Sequence, residues 1–245
     1  MDLLRRHCSD AATHLAFRRV PEPPEALPRT TRTLVASVVL LAACHGGKPA
    51  EEPLPAQPVR PLAQLAAQRT ILTPAFSLAL GESLGWSATI PRSRDFLRQL
   101  DDEIAKELGE RGLKTRWIYP ADLVRANQTN PTYAPDPYAL GASALRDPSV
   151  TSGTKLGDPL VTQLRTMVAL EENARAVVIP VELRFEKGTG PAAGQGIAVL
   201  KVALLDGRLG DIRWVGTVRS DPAPTLSRAV LTSVAAHFAD LITAP

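Results

Sequence analysis

Leu34 to Ala43 is a run of ten residues without a charge, preceded by Arg29 and Arg32 and ending at Leu41-Ala42-Ala43-Cys44. Prolines crowd both sides, with Pro21, Pro23, Pro24 and Pro28 before it and Pro49, Pro53, Pro55, Pro58 and Pro61 after it. A helix that crosses a bilayer needs about 20 apolar residues, and this run has half of that. As a buried core helix it would have nothing continuous to pack with, because proline fixes φ and removes a backbone donor on either flank. A basic flank, an apolar stretch of about 7–15 residues and small residues at a cut site describe a signal peptide. Residues 1–43 therefore read as removable, and the fold has to be built from residues 44–245. Forty-three residues exceed the usual signal length of about 15–30, and Pro21-Glu22-Pro23-Pro24-Glu25 is acidic and stiff. Residues 1–26 read as an N-terminal extension, with translation starting at Leu27 or Val20 through a non-standard codon.

The four residues at the end of the run, Leu41-Ala42-Ala43-Cys44, resemble the lipobox of bacterial lipoproteins. The resemblance implies cleavage between Ala43 and Cys44 and attachment of lipid, palmitate among it, to Cys44. It also implies localisation in the cell envelope, with the chain held to the membrane through that lipid. His45 stands where an Asp would retain such a protein in the inner membrane. Delivery to the outer membrane, facing the periplasm, is the implied destination.

Charge changes once the first 43 residues are set aside. They hold six of the 28 basic residues and four of the 25 acidic ones, leaving 22 against 21. No cluster of Lys and Arg with interleaved aromatics remains, so the electrostatic footprint of nucleic-acid binding is missing. The mature total is also not strongly cationic toward membrane phosphates. Cys8 is lost with the leader, leaving Cys44 alone and no internal disulfide. His45, which follows Cys44, and His237 are far apart in sequence, whereas a structural zinc site needs four ligands at set spacings. No metal and no cofactor is expected.

About 200 residues remain, enough for one domain with a core. Residues 44–61 carry the lipidated Cys and five prolines from Pro49 to Pro61, and read as a semi-rigid tether. Residues 62–245 read as a globular α/β (α+β) domain. Ile71 to Leu78 suggests one strand or two short ones interrupted at Pro74. Arg94 to Gly112 is predicted as a helix, with Phe96, Leu100, Ile104 and Leu108 in its stripe, Ser93 as N-cap and Gly112 at the C-cap. Thr115 to Tyr119 reads as a strand and Ala121 to Ala126 as one or two helical turns. The Pro-rich stretch 127–155 reads as a long irregular loop, and Asp158 to Asn173 as the next helix. Alternation of Val181, Leu183 and Phe185 with Glu182, Arg184 and Glu186 predicts a half-exposed strand. Ile197 to Leu205 and Ile212 to Arg219 come next as strands, joined by a turn carrying the Asp206-Gly207 pair that hairpins favour. Leu226 to Ile242 closes the chain as a helix. The order β-α-β-(loop)-α-β-β-β-α, with about three helices, implies a single mixed sheet.

Gly81-Glu82-Ser83-Leu84-Gly85 matches the G-x-S-x-G nucleophile elbow, and Asp206 or Asp211 with His237 would complete a triad order. The context opposes this alternative of a surface-tethered serine hydrolase. The elbow requires a helix directly behind the serine, and Trp86 to Pro91 is poor helix sequence. His237 falls inside an amphipathic helix. The expectation is a non-enzymatic domain without catalytic residues, Ser83 and His237 marking the alternative. Asp101-Asp102-Glu103 reads as a solvated helix face with no apolar pocket to raise a pKa. Tyr133 and Tyr138, on the Pro-rich loop, are candidates for a binding surface, against the plainer reading that they pin the loop to the core.

Several of these features occur together in one envelope family. Leu108-Gly109-Glu110-Arg111-Gly112-Leu113, then Leu205-Asp206-Gly207-Arg208 with Ile212-Arg213-Trp214, then a helix over Arg228 to Leu241 resemble the small α/β domain shared by the TolB amino-terminal domain, LpoB and CsgG. The match is one of pattern, and Pro74, Ser77 and the segment 127–155 depart from it. The resemblance implies a domain that works by binding an envelope protein partner, and it carries over no catalytic residue.

Overall fold

The computed structural model describes residues 59–80, 83–171 and 174–244. Cys44, Ala43 and the whole of the leader lie outside the described residues, as do Gly81 and Glu82 of the G-x-S-x-G match.

The described strands form one mixed sheet in the order β3-β1-β4-β5-β6, with β2 added alongside β4. β1 (Thr70–Leu72), β2 (Ser77–Leu78) and β3 (Trp117–Ile118) are short, while β4 (Ala176–Lys187), β5 (Gly196–Asp206) and β6 (Asp211–Arg219) are long. β1 lies parallel to both β3 and β4, and β2 is parallel to β4. The last three strands form an antiparallel meander. Pro74 does divide the first strand. The chain around it still tracks β4, through Thr73 N–H to Val178 O at 3.0 Å, Phe76 N–H to Pro180 O at 2.9 Å and Ala79 N–H to Leu183 O at 2.8 Å.

Helices cover both faces, which is why the first half of β4 is buried without interruption. On one face α1 (Ser93–Leu108) and α4 (Arg228–Asp240) bury Leu100, Ile104, Leu108, Val234 and Phe238 against Val178, Leu200 and Val202. On the other, α3 (Leu160–Leu170) and the short turn Ala142–Arg146 bury Leu164, Met167 and Leu145 against Ile71, Val177 and Ile179. A fourth helix, α2 (Pro120–Thr129), is longer than its sequence suggests and contributes Leu123 to this second core. Pro120 starts it at a position where no amide is needed, and the Asp122 carboxylate accepts the Tyr119 N–H at 3.2 Å.

Three local expectations change. Ser93 makes no capping bond; α1 starts from an extended Arg92. Gly112 does stop the helix, at φ 83°, after one wider turn over Gly109–Leu113. Val181 does not share a face with Leu183 and Phe185. The register of β4 against β5 slips between Pro180 and Glu182, so Val181 joins the α3 side while Leu183 and Phe185 join the α1 side. A bulge inserts one residue and reverses the alternation.

Candidate functional site

A cleft of about 200 Å³ opens where the β1–β2 link meets the start of α1. Its floor is Pro74 to Leu78, one wall is Ser93, Arg94 and Leu97 of α1, and the other is Pro137 and Tyr138. It lies beyond the carboxyl end of β1, a place where α/β sheets commonly leave a crevice.

The Pro-rich segment supplies the second wall because side chains hold it down. Asn127 Nδ2–H donates to Ala134 O at 2.7 Å, and Gln163 of α3 bonds both Gly141 N–H and Ala139 O. Lys201 Nζ donates to Asp147 O at 2.9 Å. Gly141 has to be glycine, since a Cβ there would come within 2.7 Å of the Pro159 ring. Within this frame Tyr138 N–H donates to Asp136 Oδ1 at 2.9 Å. The Tyr138 ring faces two guanidinium groups of α1, Arg94 at 5.6 Å and Arg98 at 5.3 Å from its centroid, a cation–π arrangement. Tyr138 is half-buried and lines the cleft, whereas Tyr133 is 73% exposed and does not line it.

Beneath the cleft floor lies Asp101. Its Oδ1 accepts the Ala75 N–H at 2.8 Å, and its Oδ2 is buried without a hydrogen bond. Burial pushes the Asp101 carboxyl up to about 7, against the opposing pull of the Ala75 amide. The expectation of a solvated face shared by Asp101, Asp102 and Glu103 holds for Asp102 alone. Asp101 and Glu103 sit where α1 meets other elements, and Glu103 bonds Arg228 and Thr232 of α4. Burial acts to raise the Glu103 carboxyl, but the Arg228 and Thr232 hydrogen bonds prevail and hold it below its ordinary value. The signal is present in the spacing: Asp101 lies four residues after Leu97 and three before Ile104, within the apolar stripe.

Ser83 is exposed, and the chain behind it makes only the short turn Ser87–Thr89 before α1. His237 has its partners elsewhere, Nδ1 on Arg219 O at 2.6 Å and Nε2 3.8 Å from Asp221. Asp206 is 5% exposed and bonds Arg175 Nε and Arg213 at its Oδ2. His237 and Asp206 thus take partners other than Ser83. Among the described residues there is no group of three or more His, Cys, Asp or Glu placed to hold a metal, and no described helix is long and apolar enough to cross a membrane.

No protein-family model matches the chain, and no curated protein is detectably similar in sequence. Among solved structures, the chain is similar to a variant of PelC, a dodecamer from Paraburkholderia phytofirmans. That match has 14% identity and a TM-score of 0.36 over 76% of this chain and 94% of that one. It is also similar to lipoprotein GNA1162 from Neisseria meningitidis, at 16% identity and a TM-score of 0.30 over 71% of this chain and 96% of that one.

Proposed function

We propose that the chain is a lipid-anchored protein of the bacterial cell envelope whose tethered domain acts by binding another envelope protein. The observation that carries this reading is Leu41-Ala42-Ala43-Cys44 at the end of an uncharged, basic-flanked run. Cleavage between Ala43 and Cys44 leaves Cys44 at the N-terminus, where acyl chains attach. Each buried methylene contributes about 0.8 kcal/mol, so more than one chain holds the protein stably. Residues 44–61 then act as the tether and 62–245 as the domain, in the periplasm at the outer membrane. The cleft walled by Tyr138 and Arg94 is the contact region on this reading, because it combines an aromatic face, an exposed cation and apolar floor residues, the mix that interfaces use.

The test of the anchor is metabolic labelling with an alkyne-bearing palmitate. Wild-type protein takes up label and sediments with membranes, and Cys44→Ser does neither. A mature protein with a free Cys44 thiol by mass spectrometry refutes the anchor. For the binding role, residues 44–245 carrying Cys44→Ser serve as bait, with Tyr138→Ala and Arg94→Ala as matched variants. A partner captured by the parent and lost with either variant supports the cleft. Ester turnover that disappears in Ser83→Ala would favour a hydrolase instead.

A further inference from the structure

The near-neutral charge of the chain hides an uneven distribution that only the strand register exposes. Trp117, Thr70 and Ala176 are direct neighbours across β3, β1 and β4, and Asp206 and Asp211 continue the row on β5 and β6. The residue just before each of the first three is an arginine: Arg116, Arg69 and Arg175. Backbone bonds fix this alignment, from Thr70 N–H to Arg116 O at 3.3 Å and from Gly207 N–H to Arg175 O at 2.8 Å. Adjacent strands lie about 4.8 Å apart, so three guanidinium-bearing residues stand side by side. Arg208 in the β5–β6 turn and Arg213 on β6 extend the row, and Arg165 of α3 joins it by donating to Arg208 O at 2.9 Å.

All six arginines are exposed, and only Arg213 and Arg175 serve a buried acid. Those two hold Asp206 and still leave about half of their own side chains in solvent, 50% and 57%. Acids near these arginines include Glu171, 4.0 Å from Arg69, and Asp211, while Glu107, Glu110 and Asp240 on the ends of α1 and α4 pair with Arg111 and Lys106. Like charges on neighbouring strands destabilise a sheet, so folding does not call for such a row. Two exposed leucines stand at the same end, Leu209 at the tip of the turn, 51% exposed, and Leu170 at the end of α3. The chain also reaches the domain here. The turn Ala63–Ala67 runs directly into Arg69, and Gln64 and Gln68 share a pocket with Arg175, Asp206 and Arg213.

We infer that this end of the domain is a membrane-contacting surface, with the arginine row lying on anionic lipid headgroups and Leu209 entering the interface. The inference rests on the lipid-anchor reading, since Cys44 is fifteen residue steps from Val59, a reach of at most about 50 Å. That length allows the arginine row to lie on the membrane that would hold Cys44. Basic residues attract anionic lipid within a Debye length of the surface, and an apolar side chain among them adds burial.

The test uses residues 44–245 with Cys44→Ser, which retain every described strand and helix and carry no lipid. The probes are phosphatidylcholine vesicles with and without phosphatidylglycerol, read by co-sedimentation. Binding is expected only with phosphatidylglycerol and is expected to fall steeply as salt rises. Arg116→Ser and Arg208→Ser are expected to weaken it about fivefold each, while Lys187→Ser, at the far end of β4, leaves it unchanged. Equal binding to both vesicles, no binding, or indifference to salt overturns the proposal. So does a loss of binding in Lys187→Ser as large as in Arg116→Ser. The salt dependence of the parent protein needs no variant to fold. Absence of vesicle binding while Cys44 still labels with lipid rejects the surface and leaves the anchor standing; an unlabelled Cys44 rejects the anchor instead.

Discussion

Asp101 Oδ1 holds the Ala75 N–H at 2.8 Å while Asp101 Oδ2 has no hydrogen-bond partner. One buried carboxylate thus ties α1 to the link between β1 and β2, and does so most comfortably when protonated. Its folded-state pKa of about 7 lies above the ordinary value of 3.8. The native state therefore binds the extra proton between these values, and stability falls as pH rises through that window. The contribution is fully present below about pH 4 and lost above about pH 7, with a size of roughly 2–4 kcal/mol. Asp101→Asn keeps an acceptor for Ala75 and removes the titration. Urea unfolding from pH 4 to pH 8 is expected to show a decline in the wild type and a flatter profile in the variant. Parallel profiles would exclude Asp101 as the titrating group.

The opposite sign is expected at Glu103. Its carboxyl is held below its ordinary value of 4.5, chiefly by Arg228 and Thr232 working against burial. Its stabilisation is present above about pH 4.5 and lost as pH falls through the folded-state value. Arg228→Ala leaves a buried carboxylate with Thr232 alone, and is expected to destabilise by about 2–3 kcal/mol at pH 7. That cost shrinks at acid pH, as Glu103 takes up a proton. A cost independent of pH would show that Arg228 acts through packing.

Arg111 joins the C-terminal ends of α1 and α4. Its guanidinium reaches Glu107 at 2.9 Å, Asp240 at 2.7 Å and the Ala236 carbonyl at 3.2 Å, and its side chain is only 11% exposed. Arg111→Ala is expected to cost about 2–4 kcal/mol in chemical unfolding. Arg111→Lys should recover less than half, because an ammonium cannot present the same planar fork. Full recovery by lysine would mean that charge alone matters.

Two glycines lie under tryptophans with different consequences. A Cβ on Gly196 would come within 2.4 Å of Trp86, and one on Gly216 within 2.2 Å of Trp214. Trp86 is buried and packs edge-on against Phe185 with centroids 5.5 Å apart, so it cannot move without losing that contact. Trp214 is only partly buried. Gly196→Ala is expected to cost about 1–3 kcal/mol and to shift tryptophan emission to the red. Gly216→Ala is expected to cost less than about 1 kcal/mol. The reverse order in a thermal melt would refute the difference in packing.

Local features of this chain are legible in the sequence because they depend on near neighbours. The stripe Leu100, Ile104, Leu108 specifies α1, Pro74 divides the first strand, and Asp206-Gly207 marks the turn into β6. The cleft is legible only through Tyr138, because its floor and that wall come from segments far apart in the chain. Glu103 offers no such cue, since its burial depends on Arg228 and Thr232 of a distant helix.

By itself the sequence determined where the signal-like run ends, which segments are amphipathic, and that strands and helices alternate before a meander. These depend on hydrophobic period, proline and glycine, which act within a few residues. Tertiary structure decided the rest: the face taken by Val181, the burial of Glu103, and the alignment of Arg69, Arg116 and Arg175. Each of these is set by strand register or helix docking between distant segments. A one-residue slip in register turns a side chain to the opposite face, and local pattern does not encode that choice.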